Sequence, residues 1–286
     1  MPTHRLAPGF ALVATLAILA SPAAAQLKLP RVSPNATVTQ TVGVTNLSIS
    51  YSRPGVKNRT IWGELVPYDK PWRTGANEAT NLTLSTDVTF GGQQVAAGSY
   101  ALVTIPGKDE WTVALNSEKE LWGAFAYKPE RDVVRVKVKP AAAEHEEWMR
   151  FSFENLTANS ADLVLRWEKL AVSVPIAVDL PDTVLGGART SLAAAKADDW
   201  RMRVSAARWC LDNDQALAEG RGWLDQALAI TKNYSTLGLL ARWQAKEGKT
   251  KDAIASAALA IEDGKKSADK PDMTSLEKLV AEWKAK

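Results

Sequence analysis

Cysteine is nearly absent from this 286-residue chain, which has one, Cys210. A single thiol forms no internal disulfide, so a packed core must hold the fold. Its setting, "AARWCLD", reads as an apolar helix face, where a free cysteine serves packing. Histidine is almost as scarce. His4 lies in an N-terminal leader, and His145 lies in "AAAEHEEWM", an acidic surface stretch. That scarcity excludes histidine-rich zinc or copper centres and leaves a Ser-His-Asp arrangement without a well-placed base. There is no D-x-D-x-D-G calcium loop and no phosphate-cradling glycine motif ahead of a helix, so no cofactor is expected. Charge of one sign is also lacking. The 35 Lys and Arg are interspersed with 32 Asp and Glu, which gives no nucleic-acid footprint. Beyond the leader no apolar run is long enough to span a bilayer.

The leader occupies residues 1–25. His4 and Arg5 give it a polar, basic start, and "FALVATLAILA" at residues 10–20 is an apolar stretch too short to cross a membrane. Small residues at Ala23 and Ala25 then precede Gln26, the pattern of a signal peptide cleaved before Gln26. No cysteine at that position offers a lipid anchor. The mature chain is expected to be exported, soluble and periplasmic.

Two periodicities divide the remainder. Residues 36–178 alternate with period two. Leu47, Ile49 and Tyr51 face one way and Ser48, Ser50 and Ser52 the other, and "NLTLST", "YALVTI", "EWTVALN", "VVRVKV", "WMRFSF", "DLVLRW" and "LAVSVPIAV" follow suit. Turn signals at "FGGQ", "PGKDE" and "NLTANSAD" separate them. Eight or nine strands at hairpin spacing predict an antiparallel β-sandwich or jelly-roll-like domain over 26–180. Pro175 marks an edge or a strand end. From about residue 187 alanine becomes frequent and apolar residues recur at three and four, as in Leu217, Gly220, Leu224 and Leu228. The spacing predicts helices over 187–196, 198–211, 214–231, 234–247, 250–264 and 272–284, an α-helical domain over 187–286. "DLPDTVLGG" at 179–187 reads as the linker. Ala241, Gly248, Ala253 and Ala260 fall where a tetratricopeptide helix pair packs closely, so this domain is either repeat-like or a plain helical bundle.

One stretch breaks the β alternation: "RPGVKNRTIWGELVPYDKPWRTGANEAT" at 53–80. Glu64, Asp69 and Glu78 lie in it, and paired carboxylates are what glycoside hydrolysis needs. Arg53, Arg59 and Arg73 are at hand to neutralise them. Eleven tryptophans is a high count for this length. Trp111 and Trp167 sit on apolar strand faces and belong to the core. Trp62, Trp72 and Trp122 sit in Gly-rich irregular segments, where an indole either stacks on a sugar or peptide or plugs the end of the β domain. The candidate ligand-binding residues are Arg53, Trp62, Trp72, Arg73, Asn77, Glu78 and Trp122.

The segments "YSRP", "IWGELVPY" and "WRTGAN", followed by "AAGSYALVTIPGKDEWTVALN", "WGAFAY", "RVKV" and "LRWEKLAVSVPI", resemble in order the bacterial exported family catalogued as domain of unknown function 2911. The likeness covers roughly residues 33–178. It implies an exported β-sandwich, and a helical, tetratricopeptide-like tail is similar to that on other members. It implies no activity, so only motif positions transfer: Arg53, Pro54, Trp62, Gly63, Trp72, Arg73, Gly75, Ala76 and Asn77. One departure is Asn58, where the family pattern has glycine; asparagine also tolerates positive φ, so the turn survives. Three readings stand. The first is a non-catalytic envelope protein with a glycan or peptide ligand at the Trp/Arg-rich loop and a protein partner on the helical tail. The second is a polysaccharide hydrolase using Glu64, Asp69 or Glu78. The third is a purely structural role for the signature loop.

Overall fold

The computed structural model describes residues 29–285. The expected signal peptide, and with it His4, lies outside the described residues. Ten strands are followed by six helices, consistent with the two periodicities. The strands are β1 (Asn35–Val42), β2 (Thr45–Ser52), β3 (Asn81–Leu84), β4 (Val88–Phe90), β5 (Gln93–Val95), β6 (Gly98–Ile105), β7 (Trp111–Asn116), β8 (Asp132–Val138), β9 (Ala141–Glu154) and β10 (Ser160–Ala177). They form a six-stranded antiparallel sheet, β1-β2-β3-β6-β7-β8, and a four-stranded one, β5-β4-β10-β9. Inward residues of both share one apolar core: Leu47, Ile49, Leu82, Trp111 and Leu115 from the larger sheet, Phe90, Met149, Leu165, Trp167 and Ile176 from the smaller. Alternation decides this, because every second side chain of a strand lies on the same face.

Of three local features, the turn at "FGGQ" and the place of Pro175 agree with expectation and the continuity of β10 differs, each for a physical reason. "FGGQ" is the tip of a β4–β5 hairpin, since Gly91 (φ 55°) and Gly92 (φ 85°) supply the left-handed pair that a tight hairpin requires. "DLVLRW" and "LAVSVPIAV" are one strand, β10. Between them the register shifts around Glu168 (φ 55°), and this bulge keeps the chain in the sheet. Pro175 lies beyond the last β9 pairing, Ala171↔Ala141, and just before β4 pairs at Ile176↔Phe90, so its missing N–H interrupts neither pairing.

The helices are α1 (Leu180–Ala194), α2 (Trp200–Asn213), α3 (Leu217–Ile230), α4 (Tyr234–Lys246), α5 (Thr250–Lys266) and α6 (Thr274–Lys284). The segment read as a linker is therefore a helix start. The Asp179 side chain accepts from the Asp182 N–H at 3.1 Å, and Pro181 sits in the first turn, where a missing N–H costs nothing. Cys210 is fully buried and packs on Gly220, whose added Cβ would lie 2.5 Å from the cysteine Cβ. Ala241, Ala253 and Ala260 are all buried, and Gly248 turns the chain between α4 and α5 at φ 77°.

Candidate functional site

The β2–β3 connection, residues 53–80, carries the signature and has no regular strand of its own. It is pinned to both sheets instead. The Val56 N–H donates to Glu147 O at 2.8 Å and the Met149 N–H to Pro54 O at 3.0 Å, which ties it to β9. Trp72 and Thr104 exchange backbone bonds at 2.7 and 2.9 Å, and the Asp69 N–H donates to Pro106 O at 2.8 Å, which ties it to β6 and its end. Its turns use left-handed residues at Asn58 (φ 56°), Gly63 (φ 92°) and Asn77 (φ 57°). Gly75 is required for space: an added Cβ would sit 2.9 Å from Thr80 Oγ1 and 3.1 Å from Ser52 O.

This placement separates the candidate residues. Trp72, 9% exposed, lies in the β core, stacked on Trp167 at 5.7 Å between centroids, with its Nε1 donating to Gly75 O at 3.1 Å. Trp62 is half-buried and packs edge-on against Trp72, Trp111 and Trp167 at 6.0, 5.0 and 5.7 Å. Edge-to-face contacts of this kind favour a fixed cluster. Trp72 offers no open stacking face, so the ligand contact expected of it gives way to packing; Trp62 stays partly exposed within the same cluster. Arg53 is likewise engaged, its Nε donating to Met149 O at 2.8 Å and Nη2 to Trp148 O at 3.3 Å.

Arg73 differs. It is half-buried between Trp72, which lies opposite Thr104, and Thr74, whose hydroxyl donates to Thr104 Oγ1 at 3.1 Å. Its Nε is buried without a hydrogen-bond partner, and burial lowers the pKa of the guanidinium from its ordinary value. Asn77 donates through Nδ2 to Ser33 O at 3.3 Å.

The outer face of the six-stranded sheet brings the last two candidates together. The register aligns Asn35 with Ser52, Thr37 with Ser50, and Ser50 with Asn81. These polar side chains floor a groove of about 320 Å³ that Glu78 also lines. Ser52 is buried at this end, its hydroxyl donating to Asn35 Oδ1 at 2.8 Å. Beside the groove Ala79, Ala101, Val103 and Leu121 form a small apolar cluster. A strap formed by the β7–β8 connection crosses it. Asn116 Nδ2 donates to Lys128 O at 3.0 Å and to Asp132 Oδ1 at 2.8 Å, and the Tyr127 hydroxyl donates to Asp132 Oδ2 at 2.6 Å. Burial and that bond to Asp132 push the Tyr127 phenol well above its usual value, so it remains a donor. The strap pairs Trp122 against Glu78 and leaves the indole 67% exposed; Phe125, three residues on, is 96% exposed.

The sequence marks Trp122 and Glu78 as candidates but not the groove floor. Its signal was the outward half of the strand alternation, Thr37, Ser50 and Asn81. Of the three carboxylates considered for hydrolysis, Glu78 alone lines this groove; Glu64 and Asp69 are exposed on the signature loop. His145 is half-exposed beside Glu147. Among the described residues no group of three or more His, Cys, Asp or Glu is placed to hold a metal ion, and no helix is long and apolar enough to cross a membrane.

Residues 33–176, half of the chain, match a family model described as "Protein of unknown function (DUF2911)". The chain belongs to the DUF2911 family. The match ends at Ile176 within β10, so the family segment comprises the two sheets, the signature loop and the strap, and the helices lie outside it. No curated protein matches the chain, and no solved structure does.

Proposed function

We propose that this protein is an exported, periplasmic, non-catalytic envelope protein of bacterial type whose DUF2911 domain binds a glycan and whose helical tail contacts a protein partner. The two sheets are read as a β-sandwich and the helices as tetratricopeptide-like pairs. The observation that carries the binding reading is the exposed Trp122 indole beside a groove floored by hydroxyl and amide side chains. A sugar presents an apolar C–H face and a rim of hydroxyls, which suits one indole and neutral polar groups together. The experiment is a screen of glycans and peptidoglycan fragments, with short peptides as the rival class, against residues 26–286 and Trp122→Ala. A ligand bound by the wild type and lost in Trp122→Ala is the expected result. Binding that survives the substitution, or no binding to any glycan, sinks the proposal. The hydrolase alternative is the weaker reading, because the groove contains Glu78 without Glu64 or Asp69.

For the signature loop itself the structural reading is preferred. Trp72 buried on Trp167 and the Arg53 bonds to β9 support it, and both are contacts a core closure makes.

A further inference from the structure

The two sheets end in four edge strands, β1 and β8 in the larger, β5 and β9 in the smaller. An edge presents a row of N–H and C=O groups, and proteins blunt it with charge, shortness, bulges or cover. Three of the four edges carry such devices. β8 bears Asp132, Arg135 and Lys137, and Gln93 Nε2 covers it by donating to Arg135 O at 2.8 Å. β5 is three residues long. β9 is rich in glutamate, its register with β10 is broken by the bulge at Glu168, and the signature loop pairs with it at Gly55↔Trp148. Among the described residues β1 carries none of these devices. Its eight residues all pair with β2 without a shift, and β9 comes near without pairing to it. No Asp, Glu, Lys or Arg occurs from Val32 to Ser52.

The hydrogen-bond parity of β1 decides which groups point away from β2. The Arg53 N–H donates to Pro34 O at 2.8 Å, so the even-numbered residues of this strand exchange bonds with β2. In an antiparallel pair the alternate residues turn their N–H and C=O outward, which makes Thr37, Thr39 and Thr41 the edge row. Gln40 Nε2 donates to one of these carbonyls, Thr41 O, at 2.9 Å. The three threonine side chains are exposed on the outer face of the sheet. There Thr39 Oγ1 lies 3.3 Å from Ser48 Oγ, and the Thr41 hydroxyl donates to Asn46 at 2.7 Å.

We propose that two copies of this chain pair through β1, antiparallel about a two-fold axis at Thr39, to form one continuous sheet. Thr39 then lies opposite Thr39 of the second copy, and Thr37 lies opposite Thr41, so the outward N–H and C=O groups meet in register. The Thr37 N–H of the second copy replaces the Gln40 amide on Thr41 O. Self-pairing suits this strand for two reasons. Odd residues meet odd residues, which keeps outer face beside outer face, as an isologous axis normal to the sheet requires. Threonine pairs are favourable cross-strand neighbours, and along an uncharged strand no like charges are forced together. The same axis turns the two grooves lined by Thr37 and Ser50 toward one side of the dimer. The inference uses only the sheet edge, so it stands apart from the glycan reading.

Sedimentation of residues 26–286 tests it, over a series from micromolar to about 1 mM. The expected result is a mass that rises with concentration toward twice that of the monomer. Thr39→Lys and Thr39→Glu each set like charges opposite one another across the axis. Each should raise the dimer dissociation constant about tenfold or more and leave Tm unchanged. An equimolar mixture of the two variants should regain the dimer, because only the mixed pair sets Lys against Glu, and added salt should weaken that rescue. A wild type that stays monomeric throughout the series overturns the proposal and leaves the edge to a strand of another protein. A dimer that persists in both variants, or that mixing does not restore, overturns the pairing at Thr39.

Discussion

At the scale of single residues, the tryptophans show where a sequence can be read and where it cannot. Trp111 and Trp167 fall on strands, and period two alone assigns them to the core. Trp62, Trp72 and Trp122 occupy segments with no period, so packing and ligand contact were equally consistent with their spacing. Tertiary bonds set which ring is buried: the Trp72–Thr104 backbone pair turns one ring inward, and the Glu78–Trp122 pairing leaves the other at the surface. The two positions should therefore respond oppositely. Trp72→Ala removes a buried ring from a four-tryptophan cluster and is expected to cost ~3–5 kcal/mol, lowering Tm by several degrees. Trp122→Ala is expected to change stability by no more than about 0.5 kcal/mol. Thermal melts of both variants check this, and equal losses would contradict the assignment. A third residue gives a pH-dependent expectation. The Glu154 carboxylate accepts from Arg166 at 2.6 and 3.3 Å and from Ser152 at 2.7 Å, and these bonds hold its pKa below the ordinary value. Because the folded pKa is the lower one, the stabilisation is present above the unfolded value of ~4.3 and is lost as pH falls through the folded value. Glu154→Gln should be less stable than wild type at pH 7, and the gap should close toward pH 3. A gap that stays constant between those pH values would show that the ion pair contributes nothing.

At the scale of elements, helices and strands were legible because each writes its period into the chain, whereas boundaries depend on caps and breakers that have two meanings. Pro181 and the Gly186–Gly187 pair look like linker residues. In α1 the proline occupies the first turn and the glycines face open space, with nothing within 4 Å of an added Cβ. Glycine in a helix costs roughly 1 kcal/mol relative to alanine through backbone entropy. Gly187→Ala should accordingly raise stability by ~0.5–1 kcal/mol. Gly220→Ala, in α3, gains the same entropy but drives its methyl into the Cys210 side chain, and buried overpacking typically costs ~1–3 kcal/mol. It should be the destabilising member of the pair. Urea midpoints of the two variants provide the comparison; stabilisation by both would mean that the α2–α3 contact yields more easily than this packing implies.

At the scale of the whole molecule, the change of period near residue 187 shows that sheet gives way to helix. The strand order is hidden, because pairs such as β10 with β4 join residues far apart in the chain and no local pattern encodes them. The candidate groove was hidden for the same reason, since Asn35, Ser50 and Asn81 become neighbours only once the sheet order exists. The described residues from Ser33 onward form one compact unit by backbone proximity, yet its apolar core is divided. One cluster runs from Val42 to Val178 and belongs to the sheets. The helices hold two others, centred on Leu224 with Trp243 and on Leu237 with Leu276. No residue is shared between the β cluster and the helical ones. The helical clusters are also rich in alanine, with Ala207, Ala227, Ala241, Ala257 and Ala260 fully buried, and a methyl removes little apolar area from water at ~25 cal/mol per Å². The β core instead buries Trp111, Trp167, Phe90 and Met149. Cooperative unfolding requires shared burial, so heating should melt the helices first and the sheets at a higher temperature. Calorimetry should resolve two transitions, and brief proteolysis between them should leave a fragment ending near residue 180. A single transition with equal calorimetric and van't Hoff enthalpies would instead mean that contacts at the α1 junction couple the two cores as tightly as a common one.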